Sequence, residues 1–437
     1  MVNLARTCLK PSGSLAFLSD QYFSDLLVWY HLVWLGETVR RADPVVRRLI
    51  DLGIGYSYAD RCALLALIGD LIASIVPRYR RLAQRGQVEL SVTPYGHPIL
   101  PLLLDFKSAH EAQPDAPLPA AAQYPGGFER ARWHIREGLA CFERHFGFRP
   151  AGCWPAEGAI SDTAMQLLGE SGFRWTASGQ GVLTHSLRAS DRDPSQAYHR
   201  PYRLNDQNPT LFFRDDTLSD LIGFTYASWH ADDAVGDLLH RLLDIRARLQ
   251  NTSDAVVSII LDGENAWEHY PENAYYFLSA LYTRLAEHPE IELSTFSSVI
   301  ETGSQAQPLP QLVAGSWVYG TLSTWIGEVD KNRAWDQLVQ AKQDYDQALL
   351  TQRLAPQRTE AAALQLGICE ASDWFWWYGD YNPADAVQEF DELYRHQLRA
   401  LYEMIETPAP AGLDAPLGLG HGAPEAGGTM RRGQEPV

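Results

Sequence analysis

Two acidic residues of the sequence stand where a carboxylate could act on a small neutral substrate. Glu157 lies in GCWPAEGAIS, three residues after Trp154, and Asp262 lies in SIILDGENAWE, five residues before Trp267. The flat ring of a tryptophan is a surface on which a sugar can stack. A pair of carboxylates at the ends of separate strands is suited to glycoside hydrolysis, because one protonates the leaving oxygen while the other attacks the anomeric carbon or activates water.

Each of these residues also has an ordinary structural interpretation, and other chemistries compete. A strand-end aspartate such as Asp262 commonly caps the next turn, and a tryptophan commonly fills a core. His97, Asp262 and Glu264 could together bind a metal ion, but no HExxH or similar local spacing supports that. The sequence has no GxSxG, no Walker A motif and no GxGxxG at the start of a βα unit. We therefore predict a site without metal or cofactor.

Charge and composition narrow the choice of partners. The formal net charge of −18 opposes binding to nucleic acid and to anionic membranes. The five cysteines are scattered without a CxxC pair, which indicates free thiols in a reducing compartment. The N-terminus lacks a long apolar stretch, and the longest apolar runs are too short to span a bilayer. These features predict a cytoplasmic protein; they give no oligomeric state.

The segments that must position the acidic residues alternate between strand and helix patterns. Strands that run into loops are predicted in QVELSVTPYGHPILP, RPAGCWPAEGAI, FRWTASG, LFFRDD, AVVSIILDGE and IELSTFSSVI. This alternation predicts parallel βα units, and an uninterrupted apolar run predicts a strand buried on both faces. His97, Glu157 and Asp262 all follow strand-like segments, and the sites of parallel barrels lie at the carboxyl ends of strands. We expect these three residues to share a site.

The pattern changes along the chain suggest four regions. Residues 1–18 are weakly patterned, and residues 19–303 read as an α/β barrel with a helical insertion near its start. Residues 304–406 contain three amphipathic helix patterns and predict a helical domain. Residues 407–437 are rich in Pro, Gly and Ala without periodicity, which predicts a disordered tail.

Five blocks of the sequence, in order, resemble motifs of glycoside hydrolase family 57. They are QVELSVTPYGHPILPLL, GCWPAEGAI, RDDTLSDLIGFTY, SIILDGENAWE and GSWVYGTLSTWIGEVDKNRAW, and the resemblance covers about residues 20–405. It implies a (β/α)7-type barrel followed by a C-terminal helical domain. It also implies a retaining mechanism on α-1,4-glucans such as starch, glycogen or maltodextrin, without a metal, in which either hydrolysis or transglycosylation completes the reaction.

The same resemblance assigns roles to individual residues. Glu157 matches the family's nucleophile, and Asp262 matches its general acid/base. His97, in YGHP, matches a histidine that contacts the sugar next to the cleaved bond. Glu264 is expected to orient Asp262 or a substrate hydroxyl. The expected subsite walls are four tryptophans: Trp154, Trp267, Trp317 and Trp325.

One family motif is missing from this sequence. Relatives carry His-Gln-Pro after the first strand, whereas the only His-Gln pair here, His396–Gln397, is followed by Leu398. The expectation is a barrel that lacks the N-terminal first strand and its substrate-contacting histidine. This leaves an alternative hypothesis, a catalytically impaired remnant that binds α-glucan.

Overall fold

The computed structural model describes residues 18–194, 197–249, 255–263, 266–351 and 354–422. The chain divides into two compact units. The first comprises Met1–Gln87, Thr225–Leu239 and Gly263–Glu292; the second comprises Val88–Phe224, His240–Asp262 and Leu293–Val437. Glu157 and Asp262 both belong to the second unit.

The strands are β1 (Gly152–Cys153), β2 (Trp175–Ser178), β3 (Tyr202–Arg203), β4 (Thr210–Phe213) and β5 (Gln307–Pro308). The helices are α1 (Asp20–Trp34), α2 (Glu37–Ala42), α3 (Pro44–Leu52), α4 (Tyr58–Gln84), α5 (Leu100–Leu104), α6 (Ala109–Ala112), α7 (Gly127–Phe146), α8 (Asp162–Glu170), α9 (Gln180–Ala189), α10 (Asp216–Asp220), α11 (Ala231–Arg248), α12 (Tyr275–Glu287), α13 (Phe296–Glu301), α14 (Val329–Leu350), α15 (Pro356–Cys369), α16 (Ser372–Trp377) and α17 (Ala384–Met404).

The first unit is helical where the structure describes it. Helix α4 begins at a capping box, in which the Ser57 hydroxyl accepts from the Asp60 N–H and the Asp60 carboxylate accepts from the Ser57 N–H. The buried carboxylate of Asp25, in α1, accepts the N–H groups of Gly55 and Tyr56. The loop before α4 is thereby tied to α1. Over the described ranges, no helix combines the length and the apolar character that crossing a membrane requires.

The second unit contains the sheet, whose strand order is β1-β2-β4-β3-β5. β1, β2 and β4 pair in parallel, while β3 is antiparallel to β4 and parallel to β5. Single parallel bridges extend the parallel part, from Val92 to Cys153 on one side and from Arg214 to Ser258 on the other. All four residues of β2 and of β4 are buried, as expected for strands covered on both faces.

Three predicted strands differ from the observed structure. The segment QVELSVTPYGHPILP contributes a single bridge, at Val92, and no strand. Within the described residues, the segment AVVSIILDGE forms a β-bridge only at Ser258, because side chains take the next backbone groups: Arg214 Nε donates to the Ile260 carbonyl, and the Ile260 N–H donates to Ser219 Oγ. In IELSTFSSVI, residues from Phe296 onward form α13. Thr295 caps this helix by accepting the Ser298 N–H, a local hydrogen bond that competes with strand formation.

The C-terminal helices α14, α15 and α17 occupy the predicted helical region. The predicted disorder of residues 407–437 is wrong for residues 407–422. Leu413 and Leu417 lie in the hydrophobic core formed with the C-terminal helices and are 3% and 4% exposed. The Leu417 N–H also donates to the buried carboxylate of Asp391. Burial of these two leucines orders a segment whose Pro-, Gly- and Ala-rich composition alone predicts disorder. Residues 423–437 lie outside the described part of the chain.

Candidate active site

Glu157 follows β1 in a short 3-10 turn, Ala156–Gly158. Its backbone is left-handed, with φ 58° and ψ 22°, a conformation that is uncommon for glutamate and concentrates at functional sites. Gly158 also has a positive φ, and a Cβ there would lie 2.8 Å from the Trp154 ring. Only glycine fits without displacing the indole. The turn therefore stores local strain at Glu157 and leaves space for the Trp154 ring beside Gly158.

The carboxylate of Glu157 is held by a tryptophan from a distant part of the sequence. Trp317 Nε1 donates to Glu157 Oε2 over 2.9 Å, and the Trp317 backbone N–H donates to the Glu157 carbonyl over 3.0 Å. The rings of Trp154 and Trp317 meet edge to face, with centroids 5.3 Å apart. All three side chains are half-buried. The carboxylate and the two indoles are thus in one connected group of contacts.

Arg214, directly after β4, is a buried residue on which several groups converge. Its Nε donates to the Ile260 carbonyl over 2.9 Å, Nη1 to Asp216 over 2.8 Å and Nη2 to Asp220 over 2.7 Å. The guanidinium lies 5.4 Å from the centroid of the Trp317 ring. Burial raises the pKa of Asp216 to about 6, against the lowering effect of Arg214. The sequence analysis did not single out Arg214. The RDD run at the end of a predicted strand was a feature that could have indicated it.

Asp262 lies four residues beyond Ser258, the position that pairs with Arg214. The Ser258 carbonyl accepts the Asp215 N–H over 2.8 Å, which fixes the segment beside β4. Asp262 is half-buried. Glu157 likewise lies four residues beyond a paired position, Cys153 of β1. Both carboxylates therefore follow the carboxyl ends of parallel segments at one edge of the sheet, with β2 and β4 between their strands.

His97 lies in the loop five residues after Val92, at the same edge. Its backbone is left-handed, with φ 57°. Its Nδ1 lies 2.7 Å from Oγ of Ser372, and the Ser372 N–H donates to the His97 carbonyl over 3.0 Å. Ser372, the first residue of α16, is 2% exposed. A residue of the C-terminal helices therefore fixes both the backbone and the ring of His97.

A buried cluster of charged side chains, Arg130, His134 and Glu370, is bonded to the loop that carries His97. The Glu370 carboxylate accepts from Arg130 and is hydrogen-bonded to His134 Nε2, and His134 Nδ1 meets the Tyr95 carbonyl. Burial alone would raise the pKa of Glu370, but Arg130 and His134 outweigh it and lower the pKa to about 2. The Tyr95 N–H donates in turn to the His134 carbonyl. The loop before His97 is thus bonded to α7, and through it to the C-terminal helices.

The remaining predicted residues have different surroundings. Trp325 is fully buried in the core beside Trp376, where its ring offers no face to a sugar, so the expectation of a subsite wall does not hold for it. Trp267, in the first unit, is half-buried and packs against Tyr270 and Phe277. Glu264 lies outside the described residues. Among the residues the structure describes, no group of three or more His, Cys, Asp or Glu could hold a metal ion.

A largely parallel α/β sheet, with acidic residues at its carboxyl edge and helices after it, is a framework typical of enzymes. The sequence model of glycosyl hydrolase family 57 matches residues 29–310, and the chain belongs to this family. Curated proteins, by contrast, include no match to the sequence.

Solved structures of similar fold include a branching enzyme, an α-amylase and a 4-α-glucanotransferase. The branching enzyme of Pyrococcus horikoshii has a TM-score of 0.58 at 16% identity, over 91% of this chain and 84% of that one. The α-amylase AmyC of Thermotoga maritima has 0.60 at 16%, over 89% and 79%. The 4-α-glucanotransferase of Thermococcus litoralis has 0.50 at 15%, over 77% and 52%. These likenesses show the fold and confirm the predicted α/β barrel followed by C-terminal helices.

Proposed function

We propose that the chain is a retaining glycosidase or transglycosylase of α-1,4-glucans, with Glu157 as nucleophile and Asp262 as general acid/base. The observation that carries this proposal is the placement of both carboxylates after parallel segments at one edge of the sheet, with Glu157 held by the Trp317 indole. Family membership and the α-glucan enzymes of the same fold support the substrate class.

The proposed reaction has two displacement steps. In the first, a Glu157 oxygen attacks the anomeric carbon while Asp262 donates its proton to the departing glycosidic oxygen, which leaves a β-linked glycosyl-enzyme ester. In the second, the Asp262 carboxylate takes a proton from water or from a sugar hydroxyl, whose oxygen attacks the same carbon and releases Glu157. Two inversions restore the α configuration. Water gives hydrolysis, and a sugar hydroxyl gives glucan transfer.

The aromatic and polar groups around Glu157 suit a sugar ring. The half-buried indoles of Trp154 and Trp317 supply apolar surface next to the nucleophile, and a hydrogen bond to the carboxylate keeps it oriented for attack. We assign His97 to a sugar hydroxyl beside the cleaved bond. Glu264 remains assigned to orienting Asp262 or a substrate hydroxyl.

Maltooligosaccharides of defined length test the proposal. We expect proton NMR of the first turnovers to show α-anomeric products before mutarotation, and chromatography to show either shorter chains alone or a ladder of shorter and longer chains. The ladder would identify transfer. First products with β configuration would contradict the retaining mechanism. Tight binding of the oligosaccharide without turnover would contradict the catalytic proposal and favour a protein that only binds α-glucan.

Ser372→Ala is expected to lower kcat/KM about 3- to 10-fold, because it removes one hydrogen bond, worth about 0.5–1.5 kcal/mol, that holds the His97 ring. Steady-state kinetics on maltoheptaose measures the effect. Ser186→Ala is the matched control: its buried hydroxyl bonds the backbone of Val182 and Val313, so stability should fall while kcat/KM stays unchanged. Equal losses of kcat/KM in both variants would remove the special role of Ser372.

A further inference from the structure

The side chain of Arg214 lies between the segments that carry the two proposed catalytic residues. It is 4% exposed, and its guanidinium reaches two carboxylates, Asp216 and Asp220, on the adjoining helix α10. These carboxylates balance the charge of the guanidinium. The guanidinium also contacts two groups that are not charged, the Ile260 carbonyl and the Trp317 ring. Burying an arginine destabilises the fold unless the N–H groups of its guanidinium find hydrogen-bond acceptors.

Each of these two contacts leads to a different carboxylate. The Ile260 carbonyl, which accepts from Arg214 Nε, lies two residues before Asp262. The Trp317 ring, over which the guanidinium lies, donates its Nε1–H to Glu157. Both routes consist of direct contacts within the second unit. Arg214 thus restrains the backbone of one carboxylate and the hydrogen-bond partner of the other.

We propose that Arg214 is a positioning residue that sets the relative placement of Glu157 and Asp262, through the Trp317 indole and the Ile260 carbonyl. This inference rests on the roles of Glu157 and Asp262 given above. In this scheme Arg214 acts through these two contacts rather than on the reacting atoms. Its effect is therefore on the rate of the chemical steps rather than on substrate affinity.

Arg214→Lys provides the kinetic test. Lysine keeps the positive charge but has a single nitrogen, which cannot reach the Ile260 carbonyl and both carboxylates in fork geometry. We expect kcat to fall on the order of 10²-fold, the loss typical of a misplacement of about 1 Å, with KM within about threefold of its original value. The matched control is Arg395→Lys. Arg395 also binds a buried aspartate and a backbone carbonyl, but on α17, and its loss should leave kcat unchanged.

A second readout separates this inference from the proposed function. The indole N–H of Trp317 gives one signal in a ¹⁵N–¹H spectrum, identified by its absence in Trp317→Phe. We expect Arg214→Lys to shift this signal and Arg395→Lys to leave it in place. If the unaltered chain has no activity on α-glucans, the proposed function fails, and the indole signal alone decides whether Arg214 positions the partner of Glu157.

The inference is overturned if kcat of Arg214→Lys stays within threefold of the original value, if only KM changes, or if the indole signal does not move. Should Arg214→Lys not fold, Asp220→Asn replaces it. This variant removes one carboxylate that holds the guanidinium, at a residue that is 19% exposed. A fall in kcat of about 3- to 10-fold with a shifted indole signal is then expected, the scale of one hydrogen bond, and no change in either would overturn the inference.

Discussion

Glu157→Gln is expected to reduce kcat on maltooligosaccharides on the order of 10⁴-fold or more, the scale of losing a covalent nucleophile. The amide is too weak a nucleophile to attack the anomeric carbon. Its oxygen can still accept the Trp317 N–H, so the fold and the orientation of the side chain should persist. Initial rates of glucan cleavage, measured together with thermal unfolding, check both expectations.

Glu89→Gln is the control for this substitution. Glu89 also accepts a tryptophan N–H, from Trp175 Nε1 over 2.7 Å, but lies outside the proposed site. Glu89 also accepts from the N–H and the hydroxyl of Ser297. Its change to glutamine should lower stability but leave kcat within a fewfold of the original, because these hydrogen bonds are away from the reacting atoms. Full activity in Glu157→Gln would remove it as the nucleophile, and an equal loss in Glu89→Gln would indicate a general structural effect.

Asp262→Asn is expected to slow cleavage of natural glucans about 10²- to 10⁴-fold, because the glycosidic oxygen would leave without a proton. A maltosyl fluoride needs no such proton, so its first step should be much less affected. Azide should then accelerate turnover and give α-maltosyl azide, since azide attacks the glycosyl-enzyme without a general base. Rates with both substrates, with and without azide, measure the effect.

The control here is Asp336→Asn, which alters a half-buried carboxylate that accepts the N–H groups of Ala120 and Ala121. It should leave the ratio of the two rates unchanged. A loss in Asp262→Asn that is the same for the glucan and the fluoride, without an azide product, would contradict the acid/base assignment.

The parts of the fold that local pattern controls could be predicted from the sequence. The short strand patterns FRWTASG and LFFRDD located β2 and β4, and amphipathic periods located the helices of both units. The placement of His97, Glu157 and Asp262 after parallel segments followed from the same patterns. Their chemistry remains a proposal, but the edge that carries them is the one the alternation predicted.

Contacts between residues far apart in the chain could not be predicted from local sequence patterns. Trp317 and Trp325 lie eight residues apart in one block, yet the first binds Glu157 and the second is buried in the core. Nothing local distinguishes them. Ser372 and Arg214 are likewise defined by partners far away in the chain, and the segment before Asp262 lost its strand pairing to side chains of Arg214 and Ser219.

Trapping of the glycosyl-enzyme tests the assignment of Glu157 most directly. The 5-fluoro substituent destabilises the oxocarbenium-like transition states of both steps. The reactive fluoride leaving group still lets a 5-fluoro-α-glycosyl fluoride form the glycosyl-enzyme, which is then hydrolysed slowly and accumulates. Peptide mass spectrometry of the treated chain should then place the added sugar on Glu157, in the peptide that contains GCWPAEGAIS, and Glu157→Gln should remain unlabelled. A sugar found on another residue, or β-configured products from an enzyme that never becomes labelled, would contradict the nucleophile assigned here.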